Sequence, residues 1–450
     1  MSISVSVIGL GKLGAGIAAA IASRGHEVIG VDVRREAVEL LNSGRAPVYE
    51  TDLQEILDAS HQRIRAVTNC SEAINNSGIT LVVVPTPSDQ QGAFSLSYVE
   101  AAFRECGRAL ARKRDYHVMV LVSTVLPGAT RMYLKPVLER ESGRLVGRNL
   151  GLCYSPQFVA LGTVIRDFLT PDFLLIGESD ERAGTCLESF YRTVVNNSAP
   201  CARMSIENAE ITKIAVNTYV TTKITFANMI GDLCERIPGA DVDAVTRALS
   251  LDRRIGQGCL TAGLGYGGPC FPRDNLALAY LARTLGARAD LAEATNSLNR
   301  ALPDRIAERF KDLLQPGKTA AVLGLSYKPG TTVVEESQAI YLVKSLAKSG
   351  LRILACDPVA NGTARLELGD AAVLVESVEE CLKPADLVFI ATPDPLFKAL
   401  PVEIFAGKTV VDFWGLLAER LACRSDVKYF RMGRAVNESS RAEVFQKVGG

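Results

Sequence analysis

The 450-residue chain is predicted to be an α/β protein, with two doubly wound parallel-sheet domains joined by a central helical domain. Three observations predict this. Short β-rich runs alternate with helix-like stretches in the first and last parts of the chain. The stretch between them loses that alternation and reads as helix. The two alternating parts also repeat the same landmarks in the same order. The length exceeds what one core holds, and a 48% hydrophobic composition supplies apolar side chains for several.

In chain order, residues 5–9 form an apolar run, 12–24 a helix-like stretch and 27–33 a second run. Further runs follow at 79–85 and 117–123, with helix over 96–114 between them. Strands alternating with helices predict a parallel sheet covered on both faces. Residues 205–236 read as one long helix, with more helix to 314 interrupted by a glycine-rich loop at 256–268. Gln315-Pro316-Gly317 then punctuates the chain. The α/β rhythm restarts with a strand at 319–324, a helix at 338–349, and strands at 352–357, 387–391 and 409–411. A strand ends at Gly9 and at Gly324, and a later one at Asp32 and at Asp357. Val84-Pro85-Thr86-Pro87 is echoed by Ala391-Thr392-Pro393. The predicted domains are therefore 1–204, 205–314 and 315–450, and ligands are expected beyond the carboxyl ends of the strands.

Composition narrows the function. Fifty basic and fifty acidic residues cancel, and no dense basic run is present, which argues against nucleic acid as a partner. Apolar runs such as 79–84 are strand-sized, far short of the ~20 residues that span a bilayer. The N-terminus enters a strand almost at once and lacks the regions of a signal peptide. Eleven cysteines are scattered without a CxxC pair or a Cys/His cluster, so neither a disulfide framework nor a metal site is expected. The expectation is a cytoplasmic protein without membrane contact.

Gly9-Leu10-Gly11-Lys12-Leu13-Gly14 directly follows an apolar strand and opens a helix. The first glycine allows the tight turn, the second a close approach to a pyrophosphate, and the third close helix–strand packing. The helix N-terminus then faces the phosphates. Asp32, at the end of the next strand, is placed to accept the adenosine ribose hydroxyls and to repel a 2′-phosphate. NAD is the expected cofactor. Arg34 and Arg35 read as a solvated helix start in preference to phosphate ligands.

Gly263-Leu264-Gly265-Tyr266-Gly267-Gly268-Pro269-Cys270-Phe271-Pro272-Arg273-Asp274 leaves a thiol at the exit of a glycine-rich loop, with a carboxylate four residues on. A helix starting near Pro272 would set Cys270 at its positive end and favour the thiolate. Cys106, Cys186 and Cys234 lie in apolar or amphipathic patterns and read as small core residues.

That loop resembles the signature of the UDP-glucose/GDP-mannose dehydrogenase family. Four other segments resemble further motifs of the family, in the same order along the chain. Val122-Ser123-Thr124-Val125-Leu126-Pro127-Gly128 is similar to its S-T-V-x-P-G turn. Glu210 to Asn217 is similar to its E-x-x-K-x-x-x-N helix. Leu251 to Gly256 is similar to its D-x-R-I-G stretch, and Gly324 to Lys328 to its G-x-x-[FY]-K opening. The resemblance implies oxidation of a nucleotide-sugar alcohol to the acid with two NAD, through a covalent cysteine. It implies Cys270 as nucleophile, Lys213 and Asn217 as oxyanion donors, and Asp274 and Thr124 to position or activate water. Gly9, Gly11, Lys12, Leu13, Gly14, Asp32, Thr86, Thr124 and Arg273 are the expected cofactor residues. Phe158, Lys213, Asn217, Arg254, Tyr266, Gly267 and Lys328 are the expected substrate residues. A homodimer through the central helix is also implied. Lys213 and Asn217, at i and i+4, share one helix face, as a donor pair requires.

Three departures stand out. Where the family has P-E-F-x-x-E-G, this chain reads Pro156-Gln157-Phe158-Val159-Ala160-Leu161-Gly162, so both acids are missing. Gln157 is placed where a catalytic acid stands, and it holds water without taking its proton. Glu335 stands where a cofactor-facing arginine is expected, and Asp412-Phe413-Trp414-Gly415 where many relatives place a substrate arginine. The expected function is a nucleotide-sugar 6-dehydrogenase, UDP-linked by preference, with impaired thioester hydrolysis. Its rival is a degenerate member that binds nucleotide sugar or NAD in a regulatory or structural role.

Overall fold

The computed structural model describes residues 3–315 and 317–435. Pro316 of the predicted punctuation and residues 436–450 of the last predicted domain lie outside them. The chain divides into two compact units with the boundary between Ala215 and Val216.

The first unit is built on eight strands: β1 (Ser4–Ile8), β2 (Glu27–Val31), β3 (Ile64–Val67), β4 (Ile79–Val82), β5 (Val118–Leu121), β6 (Gly151–Tyr154), β7 (Leu174–Glu178) and β8 (Cys201–Ser205). Their order is β3-β2-β1-β4-β5-β6-β7-β8. All neighbours are parallel except β6 and β7, which run antiparallel. The strands at 79–82, 118–121 and 151–154 are buried along their whole length, as a sheet covered on both faces requires. One face packs on the first helix, Gly14–Ser23, through Ile17 and Ile21. The other packs on Ser97–Leu110 through Phe103 and Leu110.

The second unit carries six parallel strands: β9 (Thr319–Leu323), β10 (Arg352–Cys356), β11 (Val373–Leu374), β12 (Leu387–Ile390), β13 (Thr409–Asp412) and β14 (Lys428–Arg431). The order is β11-β10-β9-β12-β13-β14. The chain is thus an α/β protein with a Rossmann-like sheet in each unit. Leu302 and Ile306 of the helix Asp290–Arg309 join the core under the second sheet, beside Leu342 and Val343 of Gln338–Ala347. Helices Val242–Leu251 and Phe271–Thr284 complete the helical part of this unit.

The central helix, Ile206–Cys234, begins in the first unit and ends in the second. It is rich in Ile, Val and Thr, residues of modest helix propensity, so packing rather than propensity stabilises it. Among the described residues no helix is long and apolar enough to cross a membrane. Nor do they contain a His, Cys, Asp and Glu cluster suited to a metal ion.

Candidate active site

The first helix begins at the third glycine of its turn. A Cβ on Gly14 would lie 1.8 Å from the Gly9 carbonyl oxygen, so only glycine lets the helix start this close to β1. A Cβ on Gly11 would meet nothing within 4 Å, so the backbone there faces open space. Lys12 is exposed on the turn. Leu13 occupies the N-cap without a side-chain capping bond, and the first turn contains no acid. Open backbone at the positive end of a helix that has no side-chain cap suits a pyrophosphate, and these residues fit NAD.

Asp32 directly follows β2. Its carboxylate accepts the Leu10 and Arg34 amides at 2.8 Å each, and the Arg34 guanidinium at 3.2 Å. Burial is the largest influence and opposes ionisation. The Arg34 and Leu10 donors outweigh it and hold the carboxyl below its ordinary range. Arg34 and Arg35 are both exposed at the start of the helix Arg35–Asn42, and Arg34 in addition folds back onto Asp32.

The loops after β4 and β5 are tied together. Thr86 donates to the Thr124 carbonyl at 2.7 Å, and Ser123 to the Val84 carbonyl at 2.6 Å. Glu210, fully buried on the central helix, accepts the Gly128 amide at 2.6 Å and the Thr130 amide at 2.9 Å. It thereby seats the turn that carries Thr124. Burial raises the Glu210 carboxyl above its ordinary range, against the bonds from Thr130 and Gly128.

Lys213 is 8% exposed. Its Nζ donates to the Gln157 carbonyl at 2.9 Å and lies 4.5 Å from the Phe158 ring centroid. The Gln157 carboxamide donates to the Ser155 carbonyl at 3.1 Å and the Tyr191 hydroxyl at 3.2 Å. Glu50 pins the end of this loop by accepting the Gly162 and Val164 amides, both at 2.8 Å. The first unit thus brings Thr86 to Thr124, and Lys213 to Gln157 and Phe158.

In the second unit the central helix presents Asn217, whose Nδ2 donates to Asp274 at 2.6 Å. Asp274 is fully buried in the first turn of Phe271–Thr284 and pairs with Arg273 at 3.3 Å. Cys270 is the N-cap of that helix, exposed and without a side-chain cap. The thiol therefore stands at the positive helix end, one turn from a buried carboxylate–carboxamide pair. Tyr266 is only 3% exposed. Its amide and carbonyl are both held by Asn299, at 3.0 and 2.8 Å.

Two other expected substrate residues sit on turns of this unit. The Arg254 side chain is 89% exposed and chelated by Asp252 at 2.6 Å. Lys328 is half-buried on the turn that follows β9, its ammonium 6.0 Å from the Tyr327 ring centroid. Glu335 is exposed. Trp414 packs its ring on Gly263 and donates Nε1 to the Ala391 carbonyl at 2.9 Å. An arginine does come close to Gly415, from β14, but Arg431 is spent on the Phe413 carbonyl and on Asp243.

Glu210, Glu50 and Asn299 support the site, and sequence patterns assigned none of them that role. Glu210 was visible as the first letter of its helix motif, while nothing marked the other two.

The glycine turn, open at Gly11, and the acid after the next strand give the first unit the features of a dinucleotide-binding domain. Three family models match the chain: the UDP-glucose/GDP-mannose dehydrogenase family NAD binding domain over residues 3–195, central domain over 207–301, and UDP binding domain over 321–419. The UDP-glucose 6-dehydrogenase AglM of Haloferax volcanii is 36% identical over 406 residues, 89% of this chain and 94% of that protein. The GDP-mannose 6-dehydrogenase of Azotobacter vinelandii is 33% identical over 433 residues, 93% and 98% of the two chains. A UDP-glucose dehydrogenase structure from Pyrobaculum islandicum superposes with a TM-score of 0.87 at 34% identity, covering 97% of this chain and 98% of that one. The chain belongs to the UDP-glucose/GDP-mannose dehydrogenase family and is an NAD-dependent oxidoreductase.

Proposed function

We propose that the protein oxidises the C6 alcohol of a nucleotide sugar, UDP-linked by preference, to the acid through a covalent intermediate on Cys270. The observation that carries this reading is Cys270 itself, exposed at an uncapped helix N-terminus one turn from the buried Asn217–Asp274 pair. Bound NAD accepts hydride, two equivalents for each sugar. Loss of the first hydride and a proton converts the alcohol to an aldehyde. The Cys270 thiolate adds to that carbonyl, and its electron pair forms the C–S bond of a thiohemiacetal. Lys213 and Asn217 stabilise the oxygen that carries the charge. Loss of the second hydride leaves a thioester, and water then cleaves the C–S bond to return the thiol and release the acid. Asp274 and Thr124 are assigned to that water, and Gln157 takes the role a carboxylate would fill.

In this reading hydrolysis is the slow step. A carboxamide at Gln157 and an alkyl group at Leu161 accept no proton at neutral pH, and a general base typically contributes ~10²–10⁴-fold. Arg273 and Thr86 belong to the cofactor side. Phe158, Tyr266, Gly267, Arg254 and Lys328 belong to the sugar-nucleotide side, the last two neutralising phosphate charge. Three domains, 1–204, 205–314 and 315–450, divide this work.

We also infer a cytoplasmic homodimer through the central helix. In support, Tyr219, Phe226, Met229 and Leu233 are 41–59% exposed on one face of it. The test of function is a panel of UDP- and GDP-sugars offered with NAD, following NADH absorbance and product mass together. Failure of every nucleotide sugar to produce NADH, despite measurable binding, would favour the regulatory or structural role instead.

A further inference from the structure

The segment leading to Cys270 is seated on the turn that leaves β9. A Cβ on Gly267 would lie 2.4 Å from the Glu336 carbonyl oxygen, and the Gly268 amide donates to the Glu335 carbonyl at 3.1 Å. A Cβ on Gly268 would lie 2.6 Å from a ring carbon of Tyr327, with two more ring carbons within 3.1 Å. The loop backbone therefore lies directly against the Tyr327 ring, at a distance only glycine allows. Gly268 has φ +83° as well, so no other residue replaces it without strain.

The turn that receives the loop is built under constraint. Glu336 adopts φ +52°, a left-handed conformation that a non-glycine residue holds only when its surroundings impose it. Arg300 of the helix Asp290–Arg309 pairs with the Glu336 carboxylate at 3.4 Å, and the Tyr327 amide bonds the Val333 carbonyl at 3.1 Å. Lys328 is the next residue after Tyr327. One turn thus carries both the lysine assigned above to nucleotide phosphates and the ring that backs the cysteine loop. Pro269, with its fixed φ, is all that separates Gly268 from Cys270, so a displacement at Gly268 is passed on to the thiol.

We propose that Tyr327 is a positioning residue for the reaction: its ring fixes Gly268, and through it Cys270, at the head of the helix Phe271–Thr284. This ties the setting of the thiol to the turn that bears Lys328. The proposal rests on the reading of Cys270 as the nucleophile. A flat ring fills the space that two adjacent glycines leave open, while a small side chain would leave a void into which the loop relaxes. The thiol would then move relative to the helix end that favours its ionised form.

The test combines two readouts on the full-length protein. One is the pH profile of Cys270 alkylation by iodoacetamide, read by intact and peptide mass. The other is steady-state NADH formation with whichever of UDP-glucose or GDP-mannose is turned over. Tyr327→Phe is expected to match the unmodified protein in both. Tyr327→Ala is expected to lower kcat on the order of 10–10²-fold, to keep the KM for NAD within about threefold, and to shift the alkylation midpoint by ~1 pH unit. If Tyr327→Ala does not fold, Tyr327→Leu, which keeps the volume without the flat face, is judged by the same criteria. An unshifted alkylation profile overturns the proposal, whatever happens to kcat. An equal loss in Tyr327→Phe also overturns it, because the hydroxyl rather than the ring would then matter. Full carboxylate formation by Cys270→Ser would refute the nucleophile reading instead, and the alkylation profile would still report whether Tyr327 holds the loop.

Discussion

The first six strands of each sheet share one order, and the sheets differ in the turn that leaves the first strand of each. In the first, residues 9–13 connect β1 directly to a helix without a side-chain cap, and the backbone at Gly11 faces open space. In the second, residues 324–337 intervene between β9 and the helix Gln338–Ala347, and that longer turn holds Lys328 and receives the cysteine loop. The acids at the ends of the second strands differ in the same sense. Asp32 takes two backbone amides and the Arg34 side chain, which is 55% exposed. Asp357, 4% exposed, is saturated by the Leu325, Ser326, Val359 and Ala360 amides and the Ser326 hydroxyl. One topology therefore serves two purposes. A short turn and an acid with an exposed partner suit a dinucleotide, whereas the long turn is followed by an acid that is satisfied by its own backbone.

The largest expected effect separates the two units by chemistry. Cys270→Ser should reduce acid formation by on the order of 10³-fold or more, with NAD and nucleotide-sugar binding retained in calorimetry. Carboxylate made at the normal rate would remove the covalent step. Within the first turn, Gly14→Ala should cost more than ~4 kcal/mol, since its Cβ overlaps the Gly9 carbonyl. Gly11→Ala should change stability by no more than ~0.5 kcal/mol, because its Cβ meets nothing, yet raise the KM for NAD. Urea unfolding and steady-state kinetics together distinguish them, and equal destabilisation by both would contradict the account of the turn.

The acids offer a finer test. Asp32→Ala should raise the KM for NAD about 10–10²-fold and narrow the preference over NADP, through loss of charge-assisted bonds to the ribose. Asp357→Asn should leave that KM unchanged and cost ~1–3 kcal/mol of stability. Equal use of NADP by the unmodified protein would instead promote Arg34 or Arg35 to a phosphate ligand.

The last effect belongs to the residue just before β5. Burial, and then the charge of Lys113, push His117 from 6.5 down to about 3. Its ring accepts from or donates to Thr80 at 2.8 Å and meets Lys113 Nζ at 3.1 Å. The folded state thus disfavours the proton. This stabilisation is complete above the unfolded value of 6.5 and is lost as pH falls from there towards 3. His117→Gln should flatten the fall of the urea midpoint over that window, and an unchanged slope would show that other groups govern it.

What the sequence made legible was local. The glycine turn, Asp32 after β2 and the helix start beside Cys270 are each decided within a few residues by steric and capping rules. The strands at 151–154, 174–178 and 201–205 escaped notice because runs this short lack clear turn signals. The antiparallel pairing of β6 and β7 leaves no periodic trace either. Support of the site was the least legible. Glu210 meets Gly128 across 82 residues, Glu50 meets Gly162 across 112, and Asn217 meets Asp274 across 57. Such partnerships depend on how the chain closes on itself, and no spacing rule encodes them.

The central claim is a covalent Cys270 intermediate that forms faster than it hydrolyses, because Gln157 and Leu161 stand where carboxylates would take a proton from water. Rapid mixing of the protein with NAD and its true nucleotide sugar, with NADH absorbance and intact mass sampled together, tests this most directly. The account predicts an NADH burst, slow turnover and a sugar-acyl adduct on Cys270, with faster acid release when Gln157→Glu and Leu161→Glu are combined. Smooth release of two NADH per carboxylate, with neither burst nor adduct, would contradict it.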